Sequence, residues 1–227
     1  MMVRLLAFVE GATEEKFIKE IVAHELAAHN VFITATTPGR ARAKGGVQPW
    51  ARIRKELLRF LKEDTGRFVT TMFDYYGMPT NWPGRKAARR QAHSQKATTV
   101  ESAIQDNISE AIGNAFNHRR FIPYVQMYEF EALLFCAPDI LGKVTSEHDI
   151  AQDLQSIADS FRTPEEIDDD PRSAPSKRVL RLSKNYQKAL HGSMAARRIG
   201  LPLMRQRCPH FNEWVSKLES LGHRNKK

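Results

Sequence analysis

The segment Val3 to Val9, VRLLAFV, is a strand-length apolar run broken once by Arg4, and it stops abruptly at Glu10-Gly11. Apolar residues without strict alternation fit a strand covered on both faces, as in a parallel sheet. Helical signals follow at once. Thr13 is placed to cap a helix, Glu14 and Glu15 fall in its first turn facing the positive dipole end, and Phe17, Ile21, Val22 and Leu26 give it an apolar face. Strand, tight turn and helix open a βαβ unit, which restricts the chain to α/β architectures.

The alternation continues. Residues 31–37 (VFITATT) are β-branched and read as a second strand, followed by a basic, glycine-containing loop over 38–46. Ile53, Leu57, Leu58 and Leu61 mark a helix over about 49–64, and RFVTTMF (67–73) is a third strand that delivers Asp74 at its end. A polar loop over 77–97 leads to a helix reaching about residue 116, for which Thr98 and Glu101 form a capping box. FIPYVQM (121–127) is a fourth strand, leading into Glu129-Phe130-Glu131 and an apolar helix, ALLF. The expected architecture is a parallel sheet flanked by helices over residues 1–142, with a helical C-terminal extension over 143–227 packed on it.

Charge is distributed unevenly. The formal charge of +9 and pI near 9.7 favour a polyanionic partner, because basic side chains that neutralise phosphates release counterions. Residues 38–62 hold eight Lys or Arg against one acid, Glu56. Arg85, Lys86, Arg89, Arg90 and Lys96 form a second run, and a third lies between Asp170 and Glu213. Each run read singly is a solvated helix face; three in one chain point to nucleic acid, DNA or RNA. The segment 147–170 is acidic by contrast. Cys136 and Cys208 lack metal-ligand spacing and read as plain thiols. With no signal-peptide pattern and no apolar stretch near 20 residues, the expectation is a cytoplasmic protein without a membrane partner.

Ligands of parallel α/β sheets bind beyond the carboxyl ends of the strands. That rule selects Glu10, Asp74 and the pair Glu129/Glu131, with Glu14 one helical turn after Glu10. Clustered carboxylates repel one another unless a hard cation such as Mg2+ or Mn2+ neutralises them. Each acid also has an ordinary reading: a helix-dipole acid for Glu14, a turn former for Asp74, N-terminal helix acids for Glu129 and Glu131.

FVEGATEEKF (8–17) resembles the first motif of Toprim domains, in which a Glu follows the first strand, and TMFDYYG (71–77) resembles the second, an Asp-x-Asp. YVQMYEFEALLF (124–135) resembles the acidic segment of the OLD-nuclease-like branch. These segments, with APSKR (174–178), HG (191–192) and RCPHF (207–211), also resemble the DUF4276 family over nearly the whole chain. In this sequence the second Asp of Asp-x-Asp is Tyr76, a poor Mg2+ ligand, so a two-metal centre requires Glu129 or Glu131 in its place.

The Toprim resemblance implies a metal-dependent nuclease or phosphodiesterase acting on nucleic acid. Glu10 and Asp74 would be catalytic, and Glu10, Glu14, Asp74, Glu129 and Glu131 would hold Mg2+ or Mn2+. Lys44 with Lys177 or Arg178 are candidates to hold the scissile phosphate, and Arg40, Arg42, Arg85 and Lys86 add basic contacts on charge and position. The family resemblance also implies neighbouring AAA or ABC-type ATPases, as in bacterial defence systems. Two readings of other classes stay open: a non-catalytic partner of such an ATPase, and a nucleic-acid-binding module that does not need the acids.

Overall fold

The computed structural model describes residues 2–39, 46–114, 116–145, 150–167, 170 and 172–223. The first apolar run forms β1 (Val3–Val9), which pairs in parallel with β2 (Val31–Thr36) on one side and β3 (Phe68–Asp74) on the other. Two short strands, β4 (Phe121–Ile122) and β5 (Val125–Gln126), both add to β3, so the five-stranded sheet is parallel throughout. The expected single strand over 121–127 is split because Pro123 has no N–H to donate to a ladder. Thr71 fills the gap: its hydroxyl accepts from Tyr124 N at 2.9 Å and donates to Tyr124 O at 3.0 Å.

Side-chain alternation along β1 divides the core into two layers. Val3, Leu5, Ala7 and Val9 join one apolar cluster, while Leu6 and Phe8 join the other. The second cluster is closed by the helices Trp50–Glu63 and His93–Ile112, where Trp50 and Trp82 pack at 5.1 Å between ring centroids. The first is closed by the helical run that begins with Ala12–Phe17, passes through a π-helical turn (Ile18–Val22) and ends with Ala23–Ala28, together with helices beyond residue 142. From that later part, Trp214 is buried, stacks on Tyr124 at 4.5 Å and donates from Nε1 to Thr70 Oγ1 at 2.8 Å. Burial of apolar side chains such as Phe211, Trp214 and Leu218, at roughly 25 cal/mol per Å2, ties the C-terminal helices to the sheet.

Two local expectations change. The helix expected to start at the Thr98/Glu101 capping box starts at His93, so Thr98 lies inside it. Glu101 instead accepts from Val125 N at 2.9 Å and sits 2.9 Å from His210 Nε2. The apolar helix expected after Glu131 is a fully buried 3-10 run, Phe130–Cys136. Pro138 opens the next helix, Pro138–Thr145, and disfavours helical backbone at the residue before it, so the two cannot merge. Among the described residues no helix is long and apolar enough to cross a membrane.

The helix Pro209–His223 meets the chain entering β2 backbone to backbone: a Cβ built on Gly222 would lie 1.7 Å from the carbonyl oxygen of His29. No flexible side chain is there to yield, so Gly222→Ala must push the helix off the sheet. We expect a loss of about 3 kcal/mol, in the range of core overpacking, seen as a fall in Tm of several degrees. An unchanged melting temperature would contradict this packing.

Candidate functional site

β1 and β3 are adjacent and in register, Val9 opposite Met72, so the residues at their ends, Glu10 and Asp74, emerge side by side. The two are joined directly: Asp74 N donates to Glu10 Oε2 at 3.1 Å, while Glu10 N donates to Met72 O at 3.1 Å. The first helical turn after Gly11 brings Glu14 to the same edge, and the second residue of the run Phe130–Cys136 brings Glu131. Asp74, Glu14 and Glu131 are all buried, Glu131 completely. Four carboxylates therefore converge where the sheet rule places a ligand.

A lysine sits among them. Lys188 opens a π-helical turn, Lys188–Gly192, and its Nζ lies 3.3 Å from Glu14 Oε1, 3.2 Å from Asp74 Oδ2 and 3.3 Å from Glu131 Oε2. Although 36% of its side-chain surface is exposed, its ammonium is placed among groups that are nearly solvent-free. Sequence reasoning missed it because it lies in a basic run more than a hundred residues from Asp74, and nothing in KALHG separates it from surface lysines.

One ammonium does not satisfy four acids. Asp74 Oδ1 is buried with no hydrogen-bond donor, and Glu14 Oε1 and Glu131 Oε2 face Lys188 without a directed hydrogen bond. Glu131 Oε1 accepts from Tyr186 OH at 3.2 Å. Burial raises the pKa of Asp74 well above the carboxylate range; Lys188 opposes this, and Glu10, Glu14 and Glu131 reinforce it. Burial likewise raises Glu131, and it raises Glu10 to about 7 against the opposing pull of Lys188. For Lys188, burial disfavours the charge, yet Asp74, Glu131, Glu14 and Glu10 outweigh it and hold its proton more firmly than usual.

The other sequence candidates are placed differently. Glu129 accepts from Ser176 N at 2.8 Å and from Ser176 Oγ at 3.1 Å, so both its oxygens hold the start of the helix Pro175–Leu182. Arg178 donates to Ser173 O at 2.6 Å and covers Phe161, whereas Lys177 is exposed. Arg85 lies over the ring of Tyr75, the residue after Asp74, at 3.8 Å, and Lys86 beside it is exposed. Tyr76 is partly buried. Arg40, Arg42 and Lys44 lie outside the described residues.

The acids, the lysine and the segments that carry them span most of the chain, and so does the match to a family model, the domain of unknown function DUF4276, over residues 9–219. The chain belongs to the DUF4276 family. All five residues of the cluster, Glu10, Glu14, Asp74, Glu131 and Lys188, fall within the DUF4276 match. Comparison with curated proteins and with solved structures finds no match.

The raised carboxyl groups set a pH dependence of stability. Between 4.5 and about 7 the folded protein keeps a proton on Glu10 that the unfolded chain has released, so stability falls as pH rises through that window. The full shift corresponds to roughly 3 kcal/mol. In a divalent-cation-free buffer, Glu10→Gln should therefore melt above the wild type at pH 8, and the difference should vanish near pH 4. Equal melting temperatures at pH 8 would mean that Glu10 carries no such strain.

Proposed function

We propose that this DUF4276 protein is a Toprim-like, Mg2+- or Mn2+-dependent phosphodiesterase acting on nucleic acid. The observation that carries the reading is the placement of Glu14 Oε1, Asp74 Oδ2 and Glu131 Oε2 around one ammonium at 3.2–3.3 Å, with Asp74 Oδ1 buried and lacking a hydrogen-bond donor. Oxygen donors of that kind suit a hard divalent cation, and Glu14, Asp74 and Glu131 would hold it, with Glu10 beside them. Bound there, such a cation would supply charge neutralisation and lower the pKa of an attacking water for displacement at phosphorus.

The chain's own residues have definable tasks. Glu10, beside the acids that would hold the cation and hydrogen-bonded by Asp74 N, is placed to take up and return a proton. Lys188, once released from the carboxylates, offers an ammonium to a phosphate oxygen at the mouth of the site. Tyr186 holds Glu131 in place through its hydroxyl. Arg85 and Lys86, next to the strand end that bears Asp74, and the exposed Lys177 offer contacts to the phosphate backbone. Glu131 stands in for the carboxylate that Tyr76 lacks, while Glu129 supports the shell around it by anchoring Ser176.

One observation favours a second reading. Lys188 already occupies the centre of the acids, as the fixed counter-ion of a non-catalytic Toprim-like partner of an AAA or ABC-type ATPase would.

The deciding assay is Mn2+- or Mg2+-dependent cleavage of supercoiled plasmid, single-stranded DNA and structured RNA by the purified protein, with and without a neighbouring ATPase. Cleavage that Asp74→Asn and Glu131→Gln each reduce at least a hundredfold, and that Lys188→Ala reduces without loss of fold, supports the phosphodiesterase. Absence of cleavage in every condition removes it and leaves the ATPase-partner reading.

A further inference from the structure

Cys136 and Cys208 are 72 residues apart in sequence, yet their Sγ atoms are 3.4 Å apart, and both side chains are buried. Cys136 ends the buried run Phe130–Cys136 that carries Glu131, and Cys208 links the helix Leu201–Arg207 to Pro209–His223. Few side-chain pairs gain less from such proximity, since a thiol is a weak donor and a weak acceptor. The contact leaves the two sulfurs 3.4 Å apart, against a bonding distance of roughly 2 Å, so a disulfide requires them to approach further. The segments bearing them are fixed by neighbouring contacts. Glu165 accepts from Phe211 N at 2.8 Å and from His210 N at 3.0 Å just beyond Cys208, and Tyr186 holds Glu131 five residues before Cys136.

We infer that Cys136 and Cys208 are a thiol pair built to be oxidised to a disulfide, which would lock the Glu131-bearing run to the C-terminal helices. The oxidant is a peroxide or a small disulfide or diazene. With a peroxide, one thiolate attacks and the O–O bond breaks, giving a sulfenic acid; the second thiol displaces the oxygen as water, and the S–S bond forms. Two thiols are oxidised and one peroxide is reduced to two waters. Burial holds the Cys208 thiol protonated, so the first attack needs local opening and the reaction is slow in the resting fold. The inference is independent of the phosphodiesterase reading.

The test is to treat the folded, full-length protein with diamide, quench with an alkylating agent, and measure intact mass, non-reducing peptide maps and melting temperature. The expected product is a monomer lighter by two hydrogens, with Cys136 and Cys208 peptides linked. Its Tm should exceed that of the reduced protein by on the order of 10 °C, because the crosslink closes a long loop in the unfolded chain. Cys136→Ala and Cys208→Ala should each abolish both the mass change and the Tm difference, and the reduced wild type serves as the reference if either variant is poorly folded. Two alkylated cysteines after prolonged diamide treatment, adducts on single cysteines, or intermolecular dimers would overturn the inference.

Discussion

The ion cluster of Lys188 with Glu14, Asp74 and Glu131 is the interaction on which the arrangement of this molecule turns. Its members come from the first helix, the end of a central strand, a buried 3-10 run and a π-helical turn near residue 190. Isolated charges in such a place would cost several kcal/mol each, so the cluster persists only because the acids and the ammonium are brought together and one carboxyl is further held by Tyr186. Hydrophobic residues of similar size are often as stabilising as buried ion clusters, or more so. Retaining this many buried acids at the carboxyl edge of a parallel sheet argues for chemistry rather than for stability.

The sheet supplies the geometry cheaply. Register between β1 and β3 fixes Glu10 against Asp74, and the hydrogen bond from Asp74 N to Glu10 Oε2 holds the Glu10 carboxylate at that edge. The two core layers then hold the strands from either side. Lys188 reaches the acids from a turn that packs against the first helix, Ala12–Phe17, and the buried run Phe130–Cys136, the elements that carry Glu14 and Glu131.

Much of this was legible in the sequence. The strand-length runs that end in Glu10 and Asp74 identified the parallel sheet and the edge where the two acids meet, because strand burial and strand termination are local properties. Glu131 and Glu129 were equally visible as a pair, but which one faces the cluster was not, since that depends on a turn whose hydrogen bonds to Ser176 arise 47 residues away. The split of the fourth strand could have been read from Pro123. Lys188 could not, because its role comes from a tertiary contact with no local pattern, and the same holds for the meeting of Cys136 with Cys208.

The proposed function requires these carboxylates to bind a divalent cation from which Lys188 withdraws. Soaking crystals of the protein in Mn2+ and recording anomalous scattering tests it most directly. The account predicts a strong peak between the carboxylates of Glu14, Asp74 and Glu131, with Lys188 Nζ moved away from its present ion pairs. Density that shows no peak there, with Lys188 still bound to all three acids at saturating Mn2+, would contradict it.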